Sequence, residues 1–188
     1  MLNALWDTRQ YFFWLTLISL LCFVLERVVP WRRDQGILRQ QFGQDVFWLV
    51  FNGHYIGILL SYLISWLLST FGTLQSAVSG LERLAWLLGQ PFLVQFFVFI
   101  VARDFVEWLI HNLLHKVSFL WAFHKLHHSI EELDWIGNFR FHWMEVIVYR
   151  TLSYLPLVLL RVDGQVILWV AIVGTLIGHL NHSNLRIS

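Results

Sequence analysis

The chain has 188 residues, 57% of them hydrophobic and 13% charged, with a mean hydropathy of +0.61; soluble domains carry about 25% charged residues, so composition indicates a membrane protein. A formal net charge of +1, with no basic run interleaved with aromatics, gives no reason to expect nucleic acid. The single cysteine, Cys22, excludes disulfides within the chain and thiolate-rich metal sites.

Residues 10–25 are free of charge, and the apolar run continues to Pro30 with no small-residue cleavage pattern before Glu26 and Arg27. This reads as a retained anchor rather than a removed signal peptide. Arg27, Arg32, Arg33 and Arg39 crowd the following loop. Positive loops stay on the cytoplasmic side, so the N-terminus is expected to face outward.

No charge appears between residues 46 and 81, which allows one crossing over 46–69 and an interfacial segment beyond it. Glu82 and Arg83 then mark an outer loop. His54 stands alone inside this crossing and reads as a polar contact between helices rather than a ligand.

Pro91 suits a first helical turn, where its missing N–H has no partner to lose. A helix over 91–116 would be about 39 Å long against a hydrocarbon core of about 30 Å. Its last turns, with His111 and His115, are therefore expected to emerge on the cytoplasmic side. Residues 129–150 carry Glu131, Glu132, Asp134, Arg140 and Glu145 and read as a cytoplasmic excursion containing His142. Two short apolar runs, 151–160 and 166–178, are joined through Asp163-Gly164, a turn signal, and predict a helical hairpin. The expected fold is thus all-α and polytopic, with about three full crossings plus a C-terminal hairpin. Residues 1–90 form N-terminal transmembrane helices, and 91–188 a histidine-rich metal-binding region.

Five of the nine histidines fall between His111 and His128. At about 100° per residue, Asp104, His111 and His115 share one helix face. His124, His127 and His128, at i, i+3 and i+4, are expected on one face of a second, short helix. The hairpin returns His179 and His182 to the same side of the membrane. A lone histidine on an apolar helix is usually a satisfied core residue, but two such groups eight residues apart in so apolar a chain point to metal. Neutral imidazole, the dominant form at pH 7, is the ligating form.

Glu107, one turn before His111, has two readings: an i, i+4 neutralising partner of Arg103, or an acceptor that orients the His111 ring. Asp104, about 10.5 Å along the axis from His111, is too far to touch it and is expected to support a ligand from another segment. Imidazole alone does not choose among Zn, Cu, Fe and Ni. Seven convergent histidines exceed what one catalytic zinc needs and indicate two metals. A bound pair of irons can activate dioxygen, chemistry that side chains do not perform alone.

The run from Asp104 to Ser129, D-x6-H-x3-H followed by LWAFHKLHHS, resembles the fatty acid hydroxylase and sterol desaturase superfamily of integral-membrane non-haem di-iron oxygenases. The segment NFRFHWME, ending at Glu145, is similar to its next element, and HLNHSN, from His179 to Asn184, to its third histidine cluster. The resemblance implies that His111, His115, His124, His127, His128, His182 and, less closely, His179 bind two iron ions on the cytosolic side. No catalytic residue is implied beyond the metal ligands. His142 matches a family histidine whose role is not expected to be ligation.

The implied activity is hydroxylation or desaturation of a bilayer lipid, such as a fatty acyl chain or sterol. Its co-substrate is O2, and its electrons come from a ferredoxin or cytochrome with its reductase, in a bacterial inner membrane or the endoplasmic reticulum. The family's final histidine cluster is not found before Ser188, and the expectation is a truncated chain. Two other function classes use the same residues: a metal-ion transporter, which also needs polar groups near the midplane, and an inactive fragment. Haem binding would leave most of the histidines without a role.

Overall fold

The structure, a computed structural model, describes residues 7–71 and 86–186. Their helices are α1 (Tyr11–Val28), α2 (Phe42–Val50), α3 (Gly57–Phe71), α4 (Phe92–Lys116), α5 (Ser118–His124), α6 (Trp143–Leu159) and α7 (Gly164–His182). A π-helical turn, Phe51–Ile56, carries α2 into α3 without a break. Two 3-10 turns, His127–Ser129 and Trp135–Phe139, lie between α5 and α6. Among the described residues there is no strand, only an isolated antiparallel bridge between Pro30 and Leu185.

Three helical stretches are long and apolar enough to cross a membrane: Tyr11–Val28, Phe42–Leu67 and Gly164–His182. Residues 92–116 form one unbroken helix, as expected, and carry three charged residues in its apolar run, Arg103, Asp104 and Glu107. The second hairpin arm, a short apolar run in the sequence, extends through Asn181 to His182 and reaches 19 residues, because helical hydrogen bonding continues past that run. The expected interfacial segment beyond residue 71 and the loop with Glu82 and Arg83 lie outside the described residues.

The helices bury little of their apolar surface against one another. Leu20, Val24, Leu59, Tyr62, Phe97 and Val101 are all more than half exposed or close to it, as expected where lipid is the neighbour. Three small clusters hold the helices together: Phe99, Leu157, Val166 and Val170 between α4, α6 and α7; Ile18, Cys22 and Ile172 between α1 and α7; and Ile56, Leu60 and Val146 between the second span and α6. Gly174 lets α7 approach α4, since a methyl there would overlap the Arg103 guanidinium.

The hairpin turn differs from its sequence signal. The αL position is taken by Arg161, at φ 59°, and Gly164 simply begins α7. The amide N–H of Val162 donates to Leu157 O and that of Arg161 to Val158 O, a Schellman-type close of α6. Asp163 caps α7, its Oδ1 accepting from Gln165 N at 2.8 Å.

Charge collects at one end of the bundle. Glu26, at the end of α1 and 2% exposed, accepts from the backbone N–H groups of Trp135 (2.7 Å) and Asn184 (3.0 Å). Asp45, at the start of α2, is buried between Arg39 and Arg140, and Arg39 also reaches Asp134 at 2.7 Å. These pairs tie the two loops that flank the histidines to α1, α2 and the end of α7.

Candidate metal centre

The last turn of α4 and the whole of α5 meet at a corner, Val117, whose extended backbone ends one helix and starts the next. That corner folds His124 and His128 back over His111 and His115. Their Nε2 atoms stand 3.0 Å (His111 to His115), 3.3 Å (His115 to His124), 3.2 Å (His115 to His128) and 3.1 Å (His124 to His128) apart. One ligand atom from each of the four lies within 4.8 Å of every other. Metal–imidazole bonds of about 2.1 Å at tetrahedral to right angles place neighbouring nitrogens about 3.0–3.4 Å apart, so the spacing is that of one coordination sphere.

His127 does not share this face. α5 ends at His124, and the chain passes into the 3-10 turn His127–Ser129, so the expected single helical face is broken. His127 points instead at His182 on α7, Nε2 to Nε2 at 3.0 Å. The two groups adjoin: the His127 ring centroid is 5.5 Å from that of His124 and 5.6 Å from that of His128.

Outer partners set the tautomers. His124 Nδ1 lies 2.7 Å from Oε1 of Glu145, His127 Nδ1 3.3 Å from the Arg140 carbonyl, and His182 Nδ1 2.8 Å from the Gly178 carbonyl. Carboxylate and carbonyl oxygens accept, so the geometry assigns the Nδ1 proton to each ring and leaves Nε2 its lone pair. Two lone pairs therefore face each other at 3.0 Å between His127 and His182. That contact is not a hydrogen bond; it is the arrangement a shared cation satisfies. Burial, reinforced by His182 and His124, pushes the His127 pKa down to about 3, and burial likewise lowers that of His128. Both rings thus stay in the neutral, ligating form.

The walls are aromatic. Phe141 stacks on His127 with ring centroids 4.5 Å apart, and Trp121 stands 5.3 Å from both His115 and His128. His124 is the buried floor, while His111, His115 and His128 are exposed, which leaves the four-histidine group open on one side.

The other expected site residues lie elsewhere. His179 is fully buried but turned away: its Nδ1 is 3.0 Å from Thr175 O, and its Nε2 is 3.1 Å from Ser19 Oγ on α1. The Asn138 side-chain amide also stands 3.3 Å from Nδ1, so both ring nitrogens have protein partners. Glu107 follows the first of its two readings, with Arg103 at 2.6 Å and Ser153 at 3.5 Å, and does not bond to His111. Asp104 is exposed and bonds to none of the histidines. His142 caps α6, accepting from Met144 N at 3.3 Å, and its ring lies 4.8 Å from that of Phe123. His54 is exposed on the second span, its ring 5.1 Å from that of Tyr55, rather than forming a contact between helices.

Sequence reasoning passed over Glu145 and Arg140 as site residues. Arg140 fixes its own carbonyl under His127 because Asp45 and Gln41 hold its guanidinium. The available signal was an acidic residue in the first turn of α6, but the match to a ring 21 residues earlier comes only from α5 packing on α6.

Comparison with known proteins agrees with this arrangement. Residues 96–188 match the family model "Fatty acid hydroxylase". Over 94 residues the chain is 36% identical to ornithine lipid hydroxylase OlsE of Rhizobium tropici, a stretch that is 50% of this chain and 28% of that relative's length. No solved structure gives a significant match. Through residues 96–188, which contain all six histidines of the two groups, the chain belongs to the fatty acid hydroxylase superfamily.

Proposed function

We propose that the chain is a membrane-bound lipid hydroxylase whose two histidine groups hold two non-haem irons. The observation that carries this reading is the convergence of six Nε2 atoms, from three separate segments, into two adjoining groups at one end of an apolar helical bundle. The superfamily and the name of the Rhizobium relative support a lipid as substrate. His111, His115, His124 and His128 would hold one iron, and His127 and His182 would contribute to the second. Bound there, the irons would supply reductive activation of O2, with two electrons from a separate donor such as a ferredoxin or cytochrome, for insertion of oxygen into a C–H bond.

The chain's own residues do the positioning. Glu145, the Arg140 carbonyl and the Gly178 carbonyl orient three rings and keep their protons on Nδ1. Phe141 and Trp121 restrict water on the flanks, and the exposed side at His111, His115 and His128 is where a lipid would approach. The arginine-rich loop after α1 supports a cytoplasmic position for this end of the bundle.

The test is expression of the full chain in a host lacking the activity, with iron measured in the purified protein and lipid extracts searched for products heavier by one oxygen. Bound iron and such products are expected, and His127→Ala should remove both the products and part of the iron. Unchanged iron content in that variant would sink the assignment. Metal carried across proteoliposome membranes, instead of being retained, would favour transport.

A further inference from the structure

A groove of about 590 Å3 lies along the second candidate span, lined by Gly53, His54, Gly57, Ser61 and Ser65 and, from α6, by Arg150. Gly53, Gly57, Ser61 and Ser65 recur every four residues and form one ridge of small side chains, which leaves the space open. A methyl on Gly57 would stand 3.3 Å from Arg150 Nη1, whereas one on Gly53 would meet nothing within 4 Å. The arginine therefore rests against Gly57, and the groove opens beside Gly53.

Arg150 is partly buried, and its side chain forms no hydrogen bond or ion pair among the described residues. No carboxylate lines the groove. A guanidinium beside a membrane span is costly unless it finds water or a counter-charge. His54, which also lines the groove, supplies no negative charge. The outer flank is apolar, with Ile58 44% and Tyr62 74% exposed. An occupant must pair with a cation and present hydrocarbon to that flank, and the medium surrounding this span is lipid.

We propose that the groove holds the anionic group of a membrane amphiphile, a phosphate or a carboxylate, on the Arg150 guanidinium, with its acyl chain along Ile58 and Tyr62. A planar guanidinium binds either group through two parallel N–H donors. The site is separate from the histidine groups, yet Arg150 follows Glu145 by five residues on the same helix, about 7.5 Å along its axis. The inference does not depend on the oxygenase reading, because it is tested by binding.

The experiment uses the full chain in neutral detergent and native mass spectrometry with phosphatidylglycerol, oleate and dioleoylglycerol, and inorganic phosphate as competitor. Phosphatidylglycerol, oleate or both should bind at least tenfold more tightly than the uncharged dioleoylglycerol. Competition by phosphate against phosphatidylglycerol identifies a headgroup phosphate as the anion, and preference for oleate identifies a carboxylate; either result supports the site. Arg150→Gln should weaken anion binding at least tenfold, while Arg150→Lys keeps it within a few-fold. Gly53→Leu, whose Cβ would meet nothing within 4 Å, should block it, and an unchanged melting temperature in detergent shows that each variant is folded. Equal binding of charged and uncharged lipids, or full anion binding by both Arg150→Gln and Gly53→Leu, overturns the proposal. So does loss in Gly53→Leu with no loss in Arg150→Gln.

Discussion

The four-histidine group and the His127–His182 pair use the same side chain but are built differently. The first comes from 18 consecutive residues, closed by one corner at Val117, with no ring contributed from beyond His128. The second joins residues 55 positions apart and exists only because α7 docks against α1 and α4 with Glu26 bonded to Trp135 and Asn184. A locally closed site survives damage to the bundle, whereas a site closed by packing reports on it.

The largest effect is expected at the floor of the first group. His124→Ala removes a central nitrogen and strips Glu145 Oε1 of its donor in a site where both side chains are at most 1% exposed. Leaving a buried carboxylate unpaired costs about 3–5 kcal/mol. Metal content of the purified chain should fall by more than half, and the melting temperature in detergent should drop by several degrees. His111→Ala, on the open side, should lower metal content with little change in melting temperature. Equal melting temperatures for the two variants would mean that burial of the His124–Glu145 pair contributes nothing.

Next is His182→Ala. The contrast between the two groups predicts loss of the second metal equivalent only, read as a fall from two metals per chain toward one. Loss of both would show that the groups form a single cooperative centre, which would end the distinction drawn above.

A smaller loss, about 10–100-fold in metal affinity, is expected for Glu145→Gln, since the amide still occupies the space but no longer orients the ring as a carboxylate does. Competition with a chelator of known affinity measures it. No loss would leave Glu145 as packing alone.

How much of this was legible follows the same division. The fold class, the apolar segments and the run of five histidines could be read because helical periodicity and hydropathy are local properties. The helix face shared by His111 and His115 follows from their spacing of four. The divergence of His127 could not be read, because i, i+3 and i+4 share a face only while the helix lasts, and α5 ends at His124. Glu145 and Arg140 were missed for the complementary reason: each acts through contacts more than ten residues away, set by how α5, α6 and the loops pack. The position of αL at Arg161 rather than at Gly164 was hidden by a dipeptide signal that serves equally as an N-cap and first turn.

Acidification offers a weaker perturbation with a definite sign. The His127 pKa is about 3 in the folded chain, through burial first and then through His182 and His124, against about 6.5 when unfolded. Between those values the unfolded chain binds a proton that the folded chain does not. The contribution of this group is therefore fully present above about pH 6.5 and is lost as pH falls toward 3. The melting temperature of the metal-free protein should decline from pH 7.5 to pH 5, and His127→Gln should flatten that decline.

The smallest effect on metal is expected at His179, three residues before His182 on the same helix. Both rings donate from Nδ1 to a carbonyl one turn earlier, at 3.0 Å and 2.8 Å. Their Nε2 atoms separate them: that of His179 accepts from the Ser19 hydroxyl on α1, whereas that of His182 faces another lone pair. A ring with both nitrogens satisfied by neutral protein groups has nothing left to offer a cation. His179→Ala should leave metal content within a few per cent of the parent, yet cost about 1–3 kcal/mol by stranding Ser19 and opening a cavity between α1 and α7. Ser19→Ala should lower stability by less and likewise leave metal bound. Metal lost from His179→Ala but kept in Ser19→Ala would make His179 a ligand, and the bond between α1 and α7 would then belong only to the metal-free chain.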